Sequence, residues 1–179
     1  LLVNVRIDNQ EKLELYKVTL AMISDLFIEC HIKIRGYYAE ECVEYAKLKL
    51  KGTVMFYQSL REDDWMAATL EMLNCVKSRS VFSYFEDHKL VAPSSRLKRI
   101  LKEFDEYELD YLCYSFFRAS QLDTVNILPL NPRQYISFDT FDLNKKNLEI
   151  IGKLSKKYFS YSSISIASTE YVRGLLKKD

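Results

Sequence analysis

Residues 27–34 read Phe-Ile-Glu-Cys-His-Ile-Lys-Ile, and this stretch decides the fold that the sequence predicts. From residue 28 onward every second residue is apolar, and Glu29, His31 and Lys33 lie between the apolar positions. Such alternation is typical of a β-strand with one buried face. The β-branched isoleucines also disfavour a helix, because branching at Cβ restricts their side chains there. We therefore predict a strand over 28–34, with Glu29 and His31 on one face.

The segment before this strand allows two interpretations. Apolar residues recur at three- and four-residue spacing from Leu13 to Ile34, which would also fit one helix of about 25 residues. The alternation favours a helix from Asn9 to about Leu26, followed by the strand. Residues 1–8 are β-rich and predict an earlier strand. A helix over 38–51 and a short strand over 52–57, which opens at a glycine, complete this part.

The rest of the chain carries mainly helical patterns. Asp63 or Asp64 can cap a helix that Trp65 opens, and its apolar spacing continues to about Phe85. Further helices are predicted after Pro93 and over 109–117, 143–158 and 163–177, with a short extended piece at 135–138. We place a domain boundary between residues 58 and 59. The predicted fold is a partial α/β domain over 1–58, followed by an all-α helical bundle over 59–179.

Composition restricts the class of protein. The formal net charge of +1 argues neither for nor against a nucleic-acid partner. No apolar run approaches the roughly 20 residues of a membrane helix, so we expect no membrane partner. The four cysteines are far apart and only two histidines are present, which disfavours a structural zinc site. Widely spaced cysteines are typical of reduced thiols in a cytoplasmic protein.

Segment 1–57 resembles the second half of the catalytic domain of polymerase-β-like nucleotidyltransferases, of the minimal archaeal and bacterial type. In that family an apolar run follows an Asp-x-Asp strand, and a later strand of the form apolar-Asp-apolar-His-apolar carries a third carboxylate. Residues 1–5 are similar to the apolar run, and residues 28–32 match the later strand, with Glu29 at the carboxylate position. Residues 52–57 are similar to the run that closes the domain. Residues 59–179 resemble the helical substrate-binding companion domain of such enzymes.

The resemblance implies Mg²⁺-dependent transfer of a nucleoside monophosphate from an NTP, with ATP as the expected nucleotide, to an unidentified acceptor. Glu29 would bind the catalytic metal ion and help the acceptor oxygen lose its proton. His31, on the same strand face, would orient a phosphate, and Lys47 and Lys51 would contact the triphosphate. An exposed strand glutamate, a histidine packed on a sheet and a solvated lysine face would give the same sequence pattern.

Two departures from the family concern the metal ligands. The Gly-Ser motif and the Asp-x-Asp pair are absent from the 179 residues, and we expect them ahead of Leu1 if they exist. The third carboxylate is a glutamate, whose longer side chain would move the metal-binding oxygens. With two of three ligands missing, we expect the chain alone to be inactive.

Other interpretations remain open at this stage. The chain could be a degenerate, non-catalytic member of the fold that binds a nucleotide or a partner protein, as in a toxin–antitoxin pair or a regulatory complex. It could also be a helical interaction module, with 10–34 as one helix. Trp65 could stack on a base. A basic helix edge could contact an acidic acceptor or nucleic acid; it consists of Arg96, Lys98, Arg99 and Lys102.

Overall fold

The structure is a computed structural model that describes residues 1–57, 64–84, 93–113, 133–140, 142, 144–154 and 165–177. Strands and helices alternate over most of this length. In chain order they are β1 (Leu2–Arg6), α1 (Gln10–Ile23), β2 (Glu29–Arg35), α2 (Ala39–Lys49), β3 (Thr53–Phe56), α3 (Trp65–Cys75), β4 (Ser80–Tyr84), α4 (Ser94–Glu106), β5 (Tyr111–Cys113), β6 (Arg133–Gln134), β7 (Asp139–Thr140), α5 (Lys145–Leu154), β8 (Ser165–Ser168) and α6 (Thr169–Leu176).

The chain divides into two compact units. One comprises Leu1–Leu112 with Ser163–Asp179, and the other comprises Cys113–Ser162. The first is built on a six-stranded sheet of order β3-β2-β1-β4-β8-β5. Within the second, β6 and β7 pair as an antiparallel hairpin, and α5 follows them.

Four neighbouring strands of the sheet are parallel. β2 pairs in parallel with β1 on one side and β3 on the other, and β1 pairs in parallel with β4. Helices connect these strands in sequence, as parallel pairing requires. β8 then pairs antiparallel to β4, with Phe82 opposite Ile166. The result is a mixed sheet with a parallel core.

Helices cover both faces of the sheet. Side chains alternate along each strand, so successive residues of β1 pack against helices on opposite faces. On one face Leu2 lies in an apolar cluster with Met72 and Leu73 of α3 and Val172 of α6. Val3 faces the opposite side with its register partner Tyr84, whose ring lies 6.5 Å from the ring of Tyr16 in α1. The sheet is therefore a buried central layer, which agrees with the burial of the first four residues of β1 on both faces.

The prediction of an all-α bundle over 59–179 is wrong. This part of the chain contributes β4, β5 and β8 to the same sheet as β1–β3, so the predicted partial α/β domain is not a separate fold. Residues 80–84, read as the end of a helix, form β4, and the start of the helix predicted over 163–177 forms β8. The boundary between residues 58 and 59 lies outside the described residues.

Several local predictions are confirmed. α1 ends at Ile23 and β2 begins at Glu29, so the alternative of one helix over 10–34 is wrong. α3 begins at Trp65, and the carboxylate of Asp64 caps it by accepting from the Ala67 N–H at 2.8 Å.

None of the helices in the described ranges is both long and apolar enough to span a bilayer.

Candidate functional site

The carboxylate of Glu29 is held by four hydrogen-bonding groups. It accepts from the backbone N–H groups of Lys77 and Ser78, each at 3.0 Å, and from the Ser78 hydroxyl at 2.5 Å. Its Oε1 atom also lies 2.9 Å from Nε2 of His31. These contacts support a structural role, since they fasten the loop between α3 and β4 to the first residue of β2. Metal binding by Glu29 stays a prediction.

The same contacts set the charge of Glu29. Desolvation by the surrounding protein raises its pKa, but hydrogen bonds from Ser78, His31 and the N–H of Lys77 together outweigh this effect. The net result lowers the pKa of Glu29 from 4.5 to about 2. Hydrogen bonds to the charged form stabilise a carboxylate in this way. Glu29 is therefore ionised at neutral pH.

His31 connects Glu29 to a tyrosine beneath α3. Its side chain is 1% exposed, and its Nδ1 atom lies 2.7 Å from the hydroxyl of Tyr57. The two rings stack with centroids 5.7 Å apart. Because ionised Glu29 can only accept, the Nε2 atom of His31 donates to it, and a neutral ring then accepts from Tyr57 at Nδ1. Both ring nitrogens of His31 therefore have protein partners in this structure. Phosphate binding by His31 stays a prediction.

The two lysines predicted to bind a triphosphate lie at the end of α2. Lys47 pairs with Glu44 at 2.7 Å and lies 5.8 Å from the ring of Phe56. Lys51 is exposed, and its backbone N–H donates to the carbonyl of Ser24. Within the described part of the chain neither lysine has a side-chain contact with Glu29, so the structure does not gather the predicted site residues into one cluster.

A second candidate site lies where the parallel strands end. Successive connections place β2 and β3 on one side of β1, and the chain then returns to add β4 on the other side. β1 pairs with β2 at five positions, from Leu2 to Arg6. Its described ladder with β4 stops at Val3 and Tyr84. Open α/β sheets bind ligands at such a reversal, outside the carboxyl ends of the strands.

Four polar residues share one face of the sheet at this edge. Register pairs Asn4 with Lys33 and Arg6 with Arg35, and paired residues of parallel strands point to the same side. A guanidinium nitrogen of Arg35 donates to the side-chain oxygen of Asn4 at 3.4 Å. Lys33 is 3% exposed, whereas Arg6 is exposed and pairs with Asp8 at 2.7 Å. We call Asn4, Arg6, Lys33 and Arg35 the carboxyl-edge cluster.

Trp65 borders this cluster from the start of α3. Its indole N–H donates to the backbone carbonyl of Asn4 at 3.1 Å. The side-chain amide of Asn4 in turn donates to the carbonyl of Trp65 at 3.2 Å and to the Thr69 hydroxyl at 2.8 Å. The first turn of α3 is thereby fixed over β1, beside the position where the described ladder with β4 ends.

Gly36, the residue after β2, packs closely against Ile7 and Asp8, which follow β1. Gly36 has φ +99, and a Cβ atom there would lie 2.5 Å from Oδ1 of Asp8 and 2.6 Å from the carbonyl of Ile7. The next N–H, of Tyr37, donates to Asp8 at 3.3 Å. The hydrogen bond from Arg6 also lowers the pKa of Asp8. Tyr37 is 83% exposed, which leaves an aromatic ring open at this edge.

The carboxyl-edge cluster was not predicted as a site from the sequence. The alternation in β2 gave the face of Lys33, but Arg35 lay beyond the predicted strand. The pairing of both residues with β1 and the reversal at β4 depend on contacts between distant segments. Metal binding has no support in the described ranges, where no group of three His, Cys, Asp or Glu side chains is suitably placed.

Comparison with known proteins gave no match: no family model, no curated protein and no solved structure is significantly similar to this chain.

Proposed function

We propose that the protein binds a nucleotide at the carboxyl-edge cluster and uses it as the donor in a transferase reaction. The observation that carries the proposal is the reversal of strand order at β1, which coincides with a cationic end of two parallel strands. A crevice at such a reversal is where doubly wound sheets hold nucleotides. The resemblance seen in the sequence independently implies a nucleotide donor.

The charges of the cluster suit phosphate groups. Arg6, Lys33 and Arg35 bring three cationic side chains to one face of β1 and β2, and Asn4 adds an amide between them. A planar guanidinium matches two phosphate oxygens at once, and an ammonium acts as a compact point charge. The exposed ring of Tyr37, after the end of β2, is available for stacking on a base.

The proposed reaction is transfer of a nucleoside monophosphate from an NTP, ATP first, to an acceptor that the residues do not identify. Mg²⁺ would neutralise the phosphates, but the described residues offer no three-ligand group, so no step is assigned to the ion. The free, buried thiols of Cys30 and Cys42 support a reducing compartment such as the cytoplasm. Binding without turnover, as in a regulatory protein, is the alternative.

Binding is tested by calorimetric titration of the full chain with ATP, GTP, CTP and UTP. Arg6→Gln should weaken binding by roughly tenfold or more, as expected when one charge-assisted hydrogen bond of about 1.5–3 kcal/mol is lost. The matched control is Lys49→Gln, which removes one exposed cation at the last residue of α2. No binding of any nucleotide, or equal weakening by both variants, would refute the proposed site.

The same titration separates the new site from the one expected from sequence. Glu29 and Arg35 stand at opposite ends of β2, about 20 Å apart along a strand of this length. Glu29→Gln should therefore leave nucleotide affinity unchanged in protein that remains folded. If Glu29→Gln weakens binding and Arg6→Gln does not, the sequence-based site is correct and the carboxyl-edge cluster is not.

Turnover is tested with labelled NTPs and with nucleoside diphosphate sugars, each with and without Mg²⁺. Nucleotidyl transfer releases pyrophosphate, whereas transfer of a sugar releases a nucleoside diphosphate, so chromatography of the products distinguishes the two reactions. Release of pyrophosphate in the presence of an acceptor supports nucleotidyl transfer. Release of a diphosphate alone assigns a different transferred group to the same site, and binding without either product favours the regulatory alternative.

A further inference from the structure

The solvent-facing half of α4 carries only cationic and neutral side chains in its first nine residues. Arg96, Lys98, Arg99 and Lys102 are exposed, while Leu97 and Ile100 on the opposite side are buried. No acidic residue occurs between Pro93 and Lys102. The exposed cations lie within about 9 Å along the helix axis, so they form one compact basic surface, which we call the α4 basic face.

This arrangement of charge opposes the stability of the helix itself. The amino end of a helix carries partial positive charge, so cations there are unfavourable and acidic residues are favoured. α4 has no acidic residue in its first turn, no basic residue in its last turn and no side-chain cap at Pro93. Departures from local stability rules are concentrated at functional positions. The positive potential at this end of α4 is thus reinforced by the helix dipole.

We propose that the α4 basic face binds the anionic phospholipid headgroups of a membrane surface. Four Lys and Arg side chains clustered on one amphipathic helix are sufficient for electrostatic attraction to such a surface. The apolar side of α4 is occupied by the protein core, with Leu97 and Phe104 fully buried, so the contact is peripheral and inserts no helix. This inference stands independently of nucleotide binding at the carboxyl-edge cluster.

Nucleic acid is the less favoured partner. Domains that bind it usually carry a strongly basic overall charge, whereas this chain has a net charge of +1 and a sequence pI of about 7.8. The basic face is local, and acidic side chains follow it at Glu103, which is buried, and at Asp105 and Glu106. Attraction to an anionic membrane surface requires only such a local cluster of Lys and Arg side chains.

The test is co-sedimentation of the full chain with vesicles of phosphatidylcholine alone or mixed with phosphatidylglycerol. The variant Arg96→Gln/Lys98→Gln/Lys102→Gln removes three cations from the face. The matched control, Lys47→Gln/Lys49→Gln/Lys51→Gln, removes three cations around the end of α2 and changes net charge equally. We expect binding only to the anionic vesicles. Each cation near the surface contributes roughly fivefold in affinity, so the α4 variant should lose about a hundredfold in affinity for these vesicles. The control variant should change little.

Three results would overturn the proposal. They are no binding to anionic vesicles, equal loss in the two triple variants, and retention of vesicle binding by the α4 variant. A parallel titration with single-stranded RNA covers the other anionic partner: RNA binding that depends on the α4 cations, without vesicle binding, would replace the lipid by nucleic acid. Circular dichroism of each variant, which should match the parent because the changed side chains are exposed, confirms that loss of binding is not loss of fold.

Discussion

Ser78 donates two hydrogen bonds to one carboxylate oxygen of Glu29, from its backbone N–H at 3.0 Å and from its hydroxyl at 2.5 Å. The N–H of Lys77 reaches the other oxygen at 3.0 Å. The two partners are separated by 49 positions in the chain. The ionised side chain therefore joins the start of β2 to the loop that leads into β4, on the far side of β1.

Replacing Glu29 should destabilise the protein more than replacing its partner. In Glu29→Gln the side-chain NH2 group would face the N–H and O–H groups that now donate to the carboxylate. We therefore expect the free energy of unfolding to fall by on the order of 3 kcal/mol, whereas Ser78→Ala should lower it by about 1 kcal/mol. Urea denaturation measures both. The matched control is Glu44→Gln, an exposed member of a surface ion pair, which should change stability by less than about 0.5 kcal/mol. Equal effects at Glu29 and Glu44 would contradict the structural role.

The stability difference between the parent protein and Glu29→Gln should depend on pH. The pKa of Glu29 in the folded state is about 2, below its ordinary value of 4.5. Its contribution is therefore complete above pH 4.5 and is lost as pH falls towards 2, because protons then favour the unfolded chain. Urea denaturation at a series of pH values should show this difference shrinking across that window. If the difference in unfolding free energy were the same at every pH, the ionised carboxylate would not be the cause of the stabilisation.

Gly36→Ala should disturb the junction of β1 and β2. An alanine would have to adopt φ +99 and place its Cβ within 2.6 Å of the carbonyl of Ile7, so we expect a loss of roughly 2 kcal/mol or more in thermal or urea unfolding. Gly174→Ala is the control within a helix, where an added Cβ meets no atom within 4 Å. That change should be neutral or stabilise by up to about 1 kcal/mol. The reverse order of effects would contradict the turn geometry.

Arg173→Ala should loosen the contact between α6 and α3. The guanidinium donates to the carbonyls of Leu73 and Val76 at the end of α3, including a bond of 3.2 Å from Nη2 to Val76. Losing these charge-assisted bonds should cost about 2–3 kcal/mol of unfolding free energy. Lys177→Ala, an exposed change just beyond the end of α6, is the control. Hydrogen exchange should also accelerate in the last turn of α3 only in the Arg173 variant.

Local patterns were sufficient for the first part of the fold. The alternation around Glu29 correctly predicted β2, and Gly52 followed by β-branched and aromatic residues correctly predicted β3. In both cases the residues carry their own conformational preference, so the structure of distant segments was not needed. Asp64 likewise marked the start of α3 because capping is a contact within one helical turn.

The same reasoning failed where conformation depends on partners far along the chain. β8 reads Ser-Ile-Ala-Ser, and all four residues are buried between β4 and β5, so no alternation identifies it as a strand. In β4, Phe82 fitted a helical spacing with earlier apolar residues. The candidate site failed for the same reason: β2 was predicted, but neither the loop at Ser78 nor the reversal beside β1 has a local signature.

The placement of β8 has a consequence for synthesis on the ribosome. Residues 165–168 complete the sheet between β4 and β5, and the N–H of Ser168 donates to the carbonyl of Asp110 at 2.8 Å. The four parallel strands can assemble as soon as β4 has emerged. β5, although translated more than fifty residues earlier than β8, has no neighbouring strand in the described sheet until β8 follows. A nascent chain paused before residue 165 therefore exposes one edge of β4, a state open to chaperone capture or to pairing with another polypeptide.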